Sequence, residues 1–278
     1  MTTLDVIIPT AGRATRMEHL TFYGEKYLLP VYDRPMIWYA LKEAASAGAS
    51  KVILVISPDH ECPKWPISKM AEALALSIQF MEQPYAKRGL GHAILAARPA
   101  LGSRDVFGII LPDNLVFPRP QNSDLDANPL AVLWDLYQHN PKVDHSPLVA
   151  VQPVGQKNAS RFGIATTYRV GMPTQHLPEI SKVLRLEEKP ANPDPLENFA
   201  LTGRYIVSKD IFDALWISDG LVDRSSELQL TTALNRLAKS NERVPGVWAV
   251  EHPGIWIACD TPDELYSASG LARRHVRR

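Results

Sequence analysis

Short apolar runs alternate with helix-length amphipathic stretches through the first 111 residues of this chain. Asp5-Val6-Ile7-Ile8-Pro9 is the first run, and a proline closes it, so it reads as a buried strand. Residues 51–57 (KVILVIS), 78–81 and 106–111 repeat that pattern. Between the first two runs, Ile37, Ala40, Leu41, Ala44 and Ala45 share one face of a helix that starts near Pro35. Gly48 stands where such a helix would be capped. Further helices are expected at 67–76 and 92–98. Strands that are apolar on both faces must be covered on both faces. Alternation at this spacing therefore predicts an α/β fold, a parallel sheet between two layers of helices.

The second half has a different rhythm. Strands are expected at 149–151, 164–168, 183–186 and 201–207, with few helices between them. The stretch 171–178 reads as a loop, and 118–129 is the most loop-like stretch of all. Helices return at 210–216, 228–239 and 262–273. The expectation is one domain, residues 1–278, in two lobes with a cleft between them.

Composition narrows the function classes. Thirty basic residues balance thirty acidic ones, so no net field draws in nucleic acid or a membrane surface. Two cysteines, Cys62 and Cys259, cannot form a disulfide scaffold or a four-cysteine zinc site. No apolar run reaches the roughly 18 residues a membrane span needs. Asp5 lies in the first apolar stretch with no basic residue before it, which is not a signal-peptide pattern. A cytoplasmic protein is expected.

Several segments could carry chemistry, and each also has a plainer reading. The turn that runs from Ala11 and Gly12 to Arg16 follows the first strand, at the sheet edge where open α/β folds bind ligands. An arginine there can fork onto phosphate oxygens, although a solvated arginine in an ordinary turn looks the same. Ala14 stands where a second glycine would complete a dinucleotide fingerprint, and no P-loop is present. Lys26 sits in an apolar stretch and offers a compact charge for a phosphate, or it is a surface lysine. Gln83 could read a base edge, and Gly89 and Gly91 would let a flat base approach the backbone. The alternative is a loop before a helix. Asp113 and Asp260 each follow an apolar run, as Mg²⁺ ligands or as turn caps. Glu188 and Lys189, in Glu187-Glu188-Lys189-Pro190, could grip sugar hydroxyls and a phosphate, or form a solvated charge cluster. Asp59-His60-Glu61-Cys62 has no second cluster to complete a metal site.

Taken in order, these segments resemble the sugar-1-phosphate nucleotidyltransferases. The resemblance is carried by IPTAGRATRM (8–17), EKYLLPVYDRPMI (25–37), GLGHA (89–93), LPDN (111–114), EEKP (187–190), TGRYIVS (202–208) and ELQLT (227–231). It implies a Rossmann-like, open, mixed but mostly parallel sheet with helices on both faces and a smaller antiparallel sugar-binding lobe. It also implies UTP and glucose-1-phosphate as substrates, with dTTP as the alternative nucleotide, Mg²⁺ as cofactor, and a homodimer or tetramer. By residue, Arg16 and Lys26 match phosphate-binding positions and Lys189 the lysine that binds the sugar phosphate. Gln83 and Gly89 match base contacts beside Ala11 and Gly12. Glu188 and Gly203, with Gly163 beside them, match sugar contacts, and Asp113 and Asp260 the metal ligands.

The chain departs from the family pattern at four places. Ala14 replaces a usual glycine, Glu25 a proline and Thr232 an aspartate, and Asp260-Thr261-Pro262 is close to the thymidylyltransferase pattern but without its following glycine. Ala14 and Glu25 motivate a second class of reading, a nucleotide-sugar-binding homologue without activity.

Overall fold

Apolar residues on alternate sides of each strand divide this protein into two cores, one on each face of its main sheet. The structure is a computed structural model that describes residues 3–12, 17–21, 24–58, 62–84, 89–119, 128–169, 179–194, 198–221, 226–239 and 246–276. The first half runs β1 (Leu4–Pro9), α1 (Glu18–Thr21), β2 (Pro30–Val31), β3 (Arg34–Pro35), α2 (Met36–Ser46), β4 (Ala49–Ile56), α3 (Lys64–Ala73) and β5 (Ser77–Glu82). It continues with α4 (Leu90–Ala97), β6 (Val106–Ile110), β7 (Asn114–Phe117) and α5 (Pro129–His139). The second half holds β8 (Leu148–Pro153), α6 (Gln156–Ala159), β9 (Gly163–Arg169), β10 (Ile180–Glu188) and β11 (Phe199–Ser208). It ends with α7 (Asp210–Asp219), α8 (Leu230–Lys239), β12 (Trp248–Glu251), β13 (Ile255–Ala258) and α9 (Pro262–Val276).

Nine strands form one sheet in the order β5-β4-β1-β6-β11-β8-β12-β10-β9. The pairs β5–β4, β4–β1 and β1–β6 are parallel, as is β12–β8. β11 is antiparallel to β6 and β8, and β10 to β12 and β9. Only β11 and β10 therefore run against the other strands, and the sheet is mixed but mostly of one direction. The antiparallel strands expected as a smaller lobe extend this same sheet.

In β1, Val6 and Ile8 face the core covered by α2, α3 and α5, while Ile7 faces the one covered by α4, α7 and α8. α2 ends as the sequence predicts: Gly48 follows it with φ +81°, a left-handed turn that suits glycine.

A third, smaller core matters most for the site. β7 and β13 pair as an antiparallel ribbon, with Asn114 opposite Ala258. Leu115, Phe117 and Cys259 of this region pack on Ala268 and Ala272 of α9 and on Val31 and Met36. The ribbon brings together the residue before Asn114 and the residues after Ala258.

Residues 120–127 and 170–178 lie outside the described residues, so all of the expected 171–178 loop and most of the expected 118–129 loop are undescribed. Pro129 is not loop but the first residue of α5, and the Asn128 side chain accepts a hydrogen bond from Ala131 N at 2.9 Å. An asparagine cap followed by proline at the first helical position is a strong helix start.

Candidate active site

The site lies where strands of the parallel half of the sheet end. Beyond β1, Thr10 donates to Val55 O through both its N–H, at 2.7 Å, and its hydroxyl, at 2.8 Å. That pairing fixes the direction in which Ala11 and Gly12 leave the sheet. Gly12 has open space where a Cβ would lie. Arg16, expected at the phosphates, and Ala14 fall outside the described residues.

Gln83 follows β5 and is nearly buried, and its N–H donates to Ile56 O at 3.0 Å. Its side-chain amide reaches Gly89 O at 3.4 Å, so these two expected base contacts are neighbours. Gly89 has φ +91° and ψ 162°, a region held almost only by glycine. A Cβ on it would meet Leu228 O at 2.5 Å. Gly91 N donates to Leu228 O at 2.8 Å, and its own Cβ would meet the Leu228 side chain. GLGHA is thus seated on ELQLT, a segment far away in the chain.

Lys26 begins a short 3-10 turn, Lys26–Leu28, whose side chain is largely buried. Its ammonium donates to Asp113 Oδ2 at 2.7 Å and to Asp260 Oδ1 at 3.0 Å. Burial alone would lower the pKa of this amine. The two carboxylates outweigh it, and the pKa lies above the usual lysine value. The β7–β13 ribbon makes the meeting possible, with Cys259 N donating to Asp113 O at 2.7 Å. The nearby Cys259 thiol is pushed up to about 12, first by burial and then by Asp113, and stays protonated at neutral pH.

Two carboxylates that both touch one ammonium also lie within reach of one divalent cation. Their hard oxygen donors suit Mg²⁺. Among the described residues, no group of three or more His, Cys, Asp or Glu side chains could hold a metal. Asp113 and Asp260 are a pair, and a cation held by them would take its remaining ligands from elsewhere.

A second group gathers around β9 and β10. Gly163 pairs with Glu188 across these strands. Glu188 Oε2 accepts from the Thr231 hydroxyl at 2.7 Å. A Cβ on Gly163 would come within 3.2 Å of both of these oxygens. Lys189 has φ +45°, which is strained for a residue with a side chain, and its N–H is held by Phe162 O at 3.0 Å. Its ammonium is half exposed, 3.7 Å from Glu188 Oε1. Lys189 therefore leaves β10 bent, with its charge at the surface.

Gly203 is the one expected sugar contact that does not join this group through any described contact. It has φ +78° and lies in a bulge of β11, where a Cβ would be 2.9 Å from Leu111 Cβ. Its carbonyl accepts from Leu111 N at 2.9 Å. It lets β11 press against the turn that carries Asp113.

Four supporting residues escape the sequence reading. Asn114 donates to Asp113 Oδ1 at 2.8 Å. Arg204 donates to Thr202 O at 2.8 Å and to Asn114 O. Thr231 holds Glu188, as described. Glu264 Oε2 accepts from Asp260 N at 3.0 Å and Thr261 N at 2.9 Å. Only the last has a local signal: Thr261-Pro262-Asp263-Glu264 is a capping box with proline at the first helical position.

A mixed sheet that carries two aspartates on one lysine beside a glycine-locked turn fits an α/β enzyme. The model of the nucleotidyl transferase family matches residues 5–269, and the chain belongs to that family. UTP–glucose-1-phosphate uridylyltransferase 1 of Staphylococcus saprophyticus is 29% identical over 250 residues, covering 83% of this chain and 80% of that protein. The UTP–glucose-1-phosphate uridylyltransferase of Haemophilus influenzae is 28% identical over 255 residues, covering 84% and 82%. A crystal structure of UDP-glucose pyrophosphorylase with UDP-glucose superposes with a TM-score of 0.78 at 26% identity, over 99% of this chain and 100% of that one. Among the described residues, no helix is long and apolar enough to cross a membrane.

Proposed function

We propose that this nucleotidyltransferase makes UDP-glucose and pyrophosphate from UTP and glucose-1-phosphate, in the cytoplasm. The observation that carries the reading is the Lys26 ammonium held by Asp113 and Asp260, a cation-and-carboxylate centre where two anionic substrates can meet. The names of the relatives support the choice of uridine and glucose.

The sugar phosphate attacks the α-phosphate of UTP in line, and pyrophosphate departs. The nucleophile needs no general base, because the second pKa of a phosphomonoester is about 6 and the group is ionised at pH 7. The protein's task is to position two anions and to neutralise charge as it develops. Asp113 and Asp260 would hold a divalent cation, Mg²⁺ in this reading, which when bound offsets the negative charge of the phosphates. Lys26 stabilises the departing pyrophosphate together with Arg16. Lys189, bent out of β10, aims the sugar phosphate. Glu188, held by Thr231, accepts from sugar hydroxyls beside Gly163. Gln83 and Gly89 read the base, with Ala11 and Gly12 under the nucleotide.

The test is pyrophosphate release from the purified protein with glucose-1-phosphate and Mg²⁺, with UTP, dTTP, CTP, ATP and GTP supplied in turn. Turnover with UTP well above the others is expected. A dTTP preference would keep the chemistry and change the nucleotide. Silence from the folded protein with every nucleotide would overturn the reading.

A further inference from the structure

Arg161 and Phe162 stand directly before Gly163, on the sugar side of the site, yet their side chains lead toward the two aspartates. The Arg161 guanidinium donates to Glu264 Oε1 at 2.5 Å. The other oxygen of that carboxylate accepts from the backbone N–H groups of Asp260 and Thr261. One arm therefore runs from Arg161 through Glu264 to the backbone of Asp260. The Phe162 ring packs on Trp256 with 4.8 Å between centroids. The Trp256 indole N–H donates to Asn114 Oδ1 at 2.9 Å, and the Asn114 amide donates to Asp113 Oδ1 at 2.8 Å. A second arm thus ends on the carboxylate of Asp113. Both arms start at one place, because Phe162 O also accepts from Lys189 N at 3.0 Å and Arg161 lies over the Phe162 ring at 5.2 Å.

We propose that Arg161 and Phe162 are positioning residues, a joint that ties the bend carrying Lys189 to Asp113 and Asp260 and holds both carboxylates in the geometry that binds a divalent cation. The inference rests on the reading of Asp113 and Asp260 as cation ligands. It does not depend on which nucleotide is used. Groups one step behind a metal ligand set its orientation, and losing one typically costs 10- to 100-fold in metal affinity or activity.

The experiment is a calorimetric titration with Mn²⁺, without nucleotide, of the wild type and the R161A, R161K and W256F variants, with melting midpoints measured alongside. W256F leaves a smaller aromatic ring for Phe162 to pack on and removes the indole N–H that Asn114 accepts, so its melting midpoint reports the packing lost and its Mn²⁺ affinity the lost hydrogen bond. Arg161 acts through Glu264, so Mn²⁺ affinity is expected to fall by up to about tenfold, the lower end of that range, in R161A. It should recover in part in R161K and fall in W256F, while all three melt cooperatively. Wild-type affinity in folded R161A and W256F would overturn the joint, even with melting midpoints lowered, and would leave the proposed reaction untouched. A wild type that binds no Mn²⁺ would overturn the joint and the cation assignment together. Loss of Mn²⁺ affinity in R161A from a protein that turns over no nucleotide would uphold the joint and remove only the uridylyl reading.

Discussion

Arg204, on β11, is 2% exposed and donates through its Nε and Nη2 to both carboxylate oxygens of Glu43 on α2, the shortest contact being 2.6 Å. The same guanidinium donates to Asn114 O, next to Asp113. Sheet, helix and the aspartate turn therefore meet on one buried cation.

Breaking a buried pair from one side leaves an uncompensated charge, which costs about 3–5 kcal/mol. Glu43→Ala should lower unfolding stability in urea by about that much. A loss below about 1 kcal/mol would mean that Arg204 finds other partners. The replacement of both residues by apolar ones of similar volume should cost far less than the single change.

His252 gives a pH dependence of stability. Its ring is buried, with Nε2 3.1 Å from the Thr202 hydroxyl, and Gln152 donates to its carbonyl at 3.0 Å. Burial, then Arg204 and Arg119, lowers its pKa to about 3. Below an ordinary pKa of about 6.5 the unfolded chain takes up a proton that the native ring refuses. The His252 contribution is therefore complete above about pH 6.5 and is lost as pH falls toward 3, at up to about 1.4 kcal/mol per pH unit. Urea unfolding from pH 7 to pH 4 should show a steeper decline for the wild type than for His252→Gln. Equal slopes would place the ring in water.

Gly89→Ala should destabilise the protein by at least about 2 kcal/mol, because the backbone there is nearly glycine-only and the new methyl meets Leu228 O. The measurement is again urea unfolding. Wild-type stability would show that GLGHA can lift off ELQLT without cost.

The parallel half of the sheet was legible because β1, β4, β5 and β6 are local apolar runs, and helix α2 because its buried face is periodic. The β7–β13 ribbon was not. Each strand has four residues, and the pairing joins segments far apart in the chain, so neither half carries a period of its own. α5 was hidden by the proline- and asparagine-rich stretch before it, although Leu130, Leu133, Leu136 and Tyr137 have helical spacing. Lys26, Asp113 and Asp260 were each recognisable as candidates, and the resemblance paired the two aspartates as metal ligands, but the ion pairs that Lys26 makes with both were not legible, since they depend on that ribbon. Arg204 gave no sign of its burial. Arginine is usually exposed, and only a tertiary partner such as Glu43 makes the exception.

Gln83→Ala should relax the choice of base more than it slows the reaction. The ratio of kcat/KM for UTP to that for dTTP and CTP measures this directly. An unchanged ratio would show that the base is read elsewhere.

The central claim is that Lys26, Asp113 and Asp260 form the reacting centre. The most direct test is kcat for pyrophosphate release by Lys26→Ala and Asp113→Ala, each shown to be folded by its melting transition. A loss of at least ~10²-fold in each is predicted, the scale expected when an electrostatic contributor to the transition state is removed. Turnover close to wild type in either variant would contradict the account.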